Sequence, residues 1–232
     1  MSAETTRAPR ASQRRGSKRE AILQAAIEVF GREGYALASV DEIAHLAGVA
    51  KPTLYSRFSD KTTLFNEAVL HAAAQSNQAV TDVIDATSTT PEDLRAEFEH
   101  LGVALVGCVM HENGAAVIRL QMTEHARFGP TFDEIRAQNR HRILDRLAGK
   151  IAQLAATGQL RIPDPQRAAR HFLALINDDA LARSGYGTSV LSPEDVADSV
   201  AEAVDTFLRA FGNSTADPST SSGTPRTDPL TT

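Results

Sequence analysis

The stretch that most constrains this chain runs from Ser39 to Phe58. Ser39 and Glu42 have the spacing of a capping box, in which the hydroxyl accepts from the amide three residues on and the carboxylate reaches back. Ile43, Ala44 and Ala47 fall on one face of the two-turn helix that follows. Gly48 ends it, because a residue without Cβ enters the left-handed region without a clash. Val49 plugs the turn, and Pro52 suits the first turn of a second helix, where an amide donor is not needed. Leu54 and Phe58, four apart, anchor that second helix inward, so Lys51, Thr53, Tyr55 and Arg57 point away from the core. Two short helices, a tight turn and a polar, basic outer face followed at once by Lys61 have the layout of a helix-turn-helix reading head for DNA.

The chain resembles the TetR family of transcriptional regulators. The matching residues are Ala21–Phe30 with Gly34-Tyr35, then Val40–Val49, Lys51-Pro52-Thr53-Leu54-Tyr55-Ser56-Arg57-Phe58, Asp60-Lys61 and Leu64-Phe65. The resemblance covers residues 17–77. One departure is Ala50, where the family often has a serine that caps the recognition helix. Losing such a cap costs about 1 kcal/mol but removes no base-reading group. The resemblance implies that Lys51, Pro52, Thr53, Tyr55 and Arg57 are recognition-helix residues. Thr53 is the best candidate for a base edge, since a short side chain can meet a thymine methyl or an acceptor. Tyr55 and Lys61 suit phosphate, as does Ser39 at a helix N-terminus with unused backbone amides. A weaker resemblance, to the C-terminal domain of AefR-type members, spans residues 119–175 through Phe128-Gly129-Pro130, Gly158-Gln159-Leu160-Arg161 and Ala168-Ala169 with Phe172.

The net charge of −5 is unexpected for a DNA binder until it is divided along the chain. Residues 1–61 hold 10 Lys/Arg against 7 Asp/Glu, and residues 62–232 hold 14 against 22. Positive charge is concentrated at the DNA end, as a localised electrostatic footprint requires. Arg14, Arg15, Lys18 and Arg19 precede or open the first helix and read equally as a solubilising tail or as an arm along phosphates, with Lys18 and Arg19 the better phosphate contacts.

Hydrophobic content of 42% with only 5% aromatic residues and no Trp predicts an all-α protein. Residues 1–16 are expected to be a disordered basic arm, 17–77 the helix-turn-helix domain (motif 39–58), 78–212 a helical regulatory and dimerisation domain, and 213–232 a disordered tail. Helices are predicted from Ser17 to Gly34, from Ser59-Asp60 to about Val83, from a Thr90 cap onward, from about Thr131 to Ala156, after Asp164, and after Ser192. One cysteine excludes an internal disulfide framework and suits a reducing cytosol. The N-terminus lacks a secretory signal, and the longest near-apolar run, Leu101–Met110, is short of the about 20 residues a bilayer requires. A cytoplasmic protein without a membrane partner is therefore expected.

No catalytic constellation is present: no Gly-rich phosphate loop after a strand, no His-Glu-x-x-His, no nucleophile elbow. Cys108 and His111 share a helix face with Glu112 nearby, but a structural zinc site wants four ligands in paired spacings, so no metal and no cofactor is expected.

Together these features predict a DNA-binding transcriptional regulator that acts on double-stranded operator DNA as a homodimer, and a repressor released by a small apolar effector. A central pocket could be lined by Leu105, Met110, Ile118, Met122, His125 and Phe128, with Leu101 and Val106 beside them. The same residues would equally make a plain core. The last helix carries a broad apolar stripe, and Phe172, Val200, Val204, Phe207 and Phe211 are expected at a two-fold four-helix interface. The alternatives are a ligand-binding or protein-interaction module of the same fold that has lost operator binding, and a helical enzyme. The intact Lys51–Phe58 face argues against the first and the missing acid, base and nucleophile against the second.

Overall fold

The computed structural model describes residues 10–213; the side chains of 10–17 and of 139–140 lie outside that description. Among the described residues eight helices run in order: α1 Arg10–Leu37, α2 Val40–Leu46, α3 Lys51–Tyr55, α4 Lys61–Ala86, α5 Leu94–Met110, α6 Glu112–Ala156, α7 Pro165–Arg183 and α8 Pro193–Phe211. Among the described residues the only β pairing is an isolated antiparallel bridge between Leu160 and Gly212.

The expected arm and tail fall largely outside the described residues, but both edges differ. α1 begins at Arg10 rather than Ser17. From residue 10 to 17 the chain has no proline, and its single glycine costs only about 1 kcal/mol in a helix interior, too little to end one. At the other end Asn213 is fixed, its amide donating to the Gln159 carbonyl at 3.0 Å and its side chain to the Gly158 carbonyl at 2.9 Å.

Short polar side chains set most starts. Ser39, Asp60, Asp93, Asp164 and Ser192 each accept from a backbone amide three residues on, satisfying one of the donors a helix N-terminus leaves open. Thr90 is not the cap of α5. Asp93 is, because its carboxylate reaches the Ala96 amide at 3.0 Å. Phe128 leaves the helical region (φ −119°, ψ 26°) just before Pro130, so α6 kinks where a break was expected, as a proline inside a helix demands.

Two cores result. The first joins α1–α4 to the front half of α6 through Ala116, Leu120, Phe128 and Phe132. The second joins the end of α4, α5, the back half of α6, α7 and α8 around Phe98, Phe172 and Phe207. α6 therefore belongs to both, and connects the N-terminal head to the larger helical body.

Phe172, Val200, Val204 and Phe207 are at most 1% exposed within the single chain. They are core, not a surface awaiting a partner, and the expected interface is corrected accordingly. Their stripe on α8 packs against α5 and α7: Phe207 meets Phe98 at 5.1 Å and Phe172 at 5.2 Å between ring centroids. Phe211 is partly buried, its ring tilted against that of Phe207 at 4.9 Å between centroids.

Candidate nucleic-acid interface

The head is held by its smallest parts. Ser39 Oγ accepts from the Glu42 amide at 3.4 Å, but the Glu42 carboxylate does not close the box. It turns to Arg32 of α1 instead, a stronger, charge-assisted bond. Gly48 takes φ +63°, a conformation that costs an L side chain strain, and Val49 N–H returns to the Ala44 carbonyl at 3.0 Å. α3 starts at Lys51 without a side-chain cap, as Ala50 dictates. Leu54 and Phe58 are at most 1% exposed, packed with Ile43 and Phe65 in the first core.

That anchoring turns the other side outward. Lys51, Pro52 and Tyr55 are exposed, Thr53 and Arg57 partly buried. Lys51 Nζ lies 2.8 Å from the Asp41 carboxylate of α2, and that hydrogen bond is the main cause raising its pKa. Asp41 was not singled out in the sequence. Its position in the first turn of α2, facing the first residue of α3 across the turn, was the available signal.

Lys61 opens α4 and donates to the Ala36 carbonyl at 3.2 Å, with its Nζ 4.9 Å from the Tyr35 ring centre. Ser39, Lys51, Pro52, Thr53, Tyr55, Arg57 and Lys61 thus belong to one compact head. Lys18 stands apart: it is exposed and lies on the order of 24 Å along α1 from Gly34 at 1.5 Å rise per residue. Its neighbour Arg19 is tied to Glu67 of α4 at 2.6 Å.

The six residues expected to line a pocket are not brought together. Leu105 and Phe128 are buried in different cores. Met110 borders a cleft between α1, α5 and the α7–α8 connection, whereas Ile118, Met122 and His125 border a separate, shallower depression with Tyr186. The helical period that made them look like one lining spans a corner at His111 and a kink at Phe128, which separate their directions. No group of three or more His, Cys, Asp or Glu side chains among the described residues could hold a metal, and no single described helix is long and apolar enough to cross a membrane.

Residues 22–68 match the family described as bacterial regulatory proteins, tetR family, and residues 96–213 match the AefR-like transcriptional repressor C-terminal domain. The chain is 38% identical over 85 residues to the HTH-type transcriptional activator FasR of Mycolicibacterium smegmatis, a match covering 37% of this chain and 39% of FasR. It is 24% identical over 187 residues to the HTH-type transcriptional repressor AcnR of Corynebacterium diphtheriae, covering 81% of this chain and 91% of that protein. A TetR-family transcriptional regulator of Mesorhizobium loti has a solved structure that superposes with a TM-score of 0.76 at 26% identity, over 88% of this chain and all (100%) of that one. The head, the helical body and both matched regions agree: the chain belongs to the TetR family of bacterial transcriptional regulators.

Proposed function

We propose that this chain is an operator-binding repressor that works as a homodimer and leaves its DNA when a small, mainly apolar effector binds. One observation carries the DNA-binding part. Burial of Leu54 and Phe58 forces Lys51, Pro52 and Tyr55 outward on a helix of five residues, a reading surface that serves no packing role in the chain itself. In a major groove Thr53 would meet base edges, while Tyr55, Lys61, Arg57 and the amides behind Ser39 would meet phosphates. Lys51 would exchange Asp41 for phosphate. Lys18 would contact flanking backbone.

The repressor sign is supported by the C-terminal match and by AcnR, whose likeness spans most of both chains. Members of the family bind operator DNA as dimers. With the α8 stripe used internally, the pairing surface is assigned to the outer faces of α7 and α8. A shallow apolar groove between α6 and α7 is lined by Ile143, Leu144, Arg170, Leu173 and Ala174.

Fluorescence anisotropy with a labelled fragment of the DNA upstream of the gene, together with sedimentation, tests this reading. Salt-sensitive, saturable binding by a dimer is expected. Binding indistinguishable between that fragment and scrambled DNA would refute it.

A further inference from the structure

Arg119 of α6 sits where three parts of the chain meet. Its Nε donates to the Gly31 carbonyl of α1 at 3.2 Å, and Nη1 donates to the Gly187 carbonyl in the α7–α8 connection. The approach is close on both sides. A Cβ at Gly31 would lie 2.8 Å from Ala116 Cβ, and one at Gly187 would lie 3.2 Å from Ala115 Cα. A guanidinium carries five N–H donors, so these two carbonyls leave capacity unused. Arg119 is partly buried and, among the described residues, forms no ion pair. A partly buried cation held only by carbonyl dipoles favours an incoming anion.

This cation borders a cleft of about 1000 Å³. The other charges there are already served. Arg32 is surrounded by Glu28, Glu33 and Glu42, and Glu112 is exposed to water at the first residue of α6. The remaining wall combines uncharged polar groups and His111 with an apolar strip formed by Ile27 from α1, Val103 and Met110 from α5, and Leu191 and Val196 around the start of α8. Val103 stays 38% exposed on it, although a valine on a helix is ordinarily buried.

We propose that this cleft binds an amphipathic monocarboxylate, with the carboxylate on Arg119 and the apolar body on Val103, Met110, Leu191 and Val196. The inference rests on the effector reading above and gives it a site and a ligand class. It also supplies a route to the head. A carboxylate bound to the unused donors draws the guanidinium toward the cleft, lengthens its bonds to the Gly31 and Gly187 carbonyls, and so loosens the tie between α1 and the α7–α8 connection.

The test is calorimetric titration of the full chain with straight-chain monocarboxylates of eight to sixteen carbons and the matching alcohols, beside operator anisotropy. The wild type should bind at least one acid ten-fold or more tighter than its alcohol, and that acid should weaken operator binding ten-fold or more. Arg119→Met should abolish the preference for acid over alcohol. Val103→Glu, at an exposed position, should weaken acid binding ten-fold or more without altering far-UV circular dichroism. No binding of any acid, equal affinity for acid and alcohol, or unchanged acid binding in Val103→Glu would overturn the proposal. Should Arg119→Met misfold, Val103→Glu alone decides. Acid binding with no change in operator affinity would refute the coupling. Failure of the wild type to bind operator would refute the repressor reading instead, and the titrations would still decide the site.

Discussion

The backbone N–H of Tyr35 donates to the Glu124 carboxylate at 2.9 Å, tying the residue after the Gly34 kink to the middle of α6. Gly34 has φ +72°, so α1 changes direction there, and the amide released by the kink must find an acceptor outside the helix. Glu124 supplies it. Around the same point Phe128 lies 4.8 Å from the Tyr35 ring and 4.2 Å from that of Phe65, and Arg127 covers Tyr35 at 4.1 Å. At this point head and body meet through one polar bond and a cluster of rings.

Glu124→Ala leaves the partly buried Tyr35 amide without a partner. Such an orphan costs about 1–3 kcal/mol, and the midpoint of urea unfolding should fall accordingly. Glu124→Gln keeps an acceptor oxygen and should recover most of the loss. Equal destabilisation by the two variants would show that charge, rather than the hydrogen bond, matters at this position.

Asp60 gives a pH-dependent contribution. The Thr63 amide donates to its carboxylate at 2.7 Å, and that bond, aided by the Thr63 and Ser59 hydroxyls, holds its carboxyl below the ordinary 3.8. A group whose folded pKa is depressed stabilises the fold above its unfolded pKa and loses that contribution as pH falls through the folded value. Asp60→Asn should therefore lower the melting temperature at neutral pH and match the wild type below the ordinary carboxylate range. Parallel melting curves from pH 7 to pH 2 would contradict this.

Local signals in the sequence were enough for the head. The caps at Ser39 and Asp60, the left-handed Gly48 and the Leu54–Phe58 spacing are all interactions within four residues, where chain geometry alone decides the outcome. The body was legible only as far as helices reach. An apolar stripe on α8 shows that this face is buried, but not whether the cover is α5 and α7 or a second subunit. Likewise the Arg119 contacts join residues 88 and 68 positions apart, a distance no periodicity can report. Thr90-Pro91 and Asp93 both carry start signals, and it is the Asp93 carboxylate, bonded to the Ala96 amide, that caps α5.

On DNA, the Lys51–Asp41 pair is a competition. Lys51→Ala should weaken operator binding and lower the salt slope by about one unit, as expected for one lost phosphate contact. Asp41→Asn removes the rival anion and one negative charge from the DNA-facing side, so it should tighten binding several-fold. The two substitutions are expected to leave circular dichroism unchanged because both side chains are exposed. An Asp41→Asn protein that binds more weakly than wild type would mean that the pair pre-positions the lysine instead.

The last prediction separates folding from association in the helical body. Phe207 is fully enclosed by Phe98, Phe172 and Phe211, so Phe207→Ala removes a core ring and leaves a cavity. Substitutions of this kind cost about 3–5 kcal/mol, and the loss should appear as a lower unfolding midpoint at every protein concentration. Ala174 is exposed on α7 beside the apolar groove with Leu173 and Ile143. Ala174→Glu should leave intrachain packing intact yet place a like charge on both sides of a two-fold contact, where a self-complementary surface meets its own copy. Sedimentation should then show a folded monomer with lost operator affinity. A dimer as tight as the wild type in Ala174→Glu would move the pairing surface off α7.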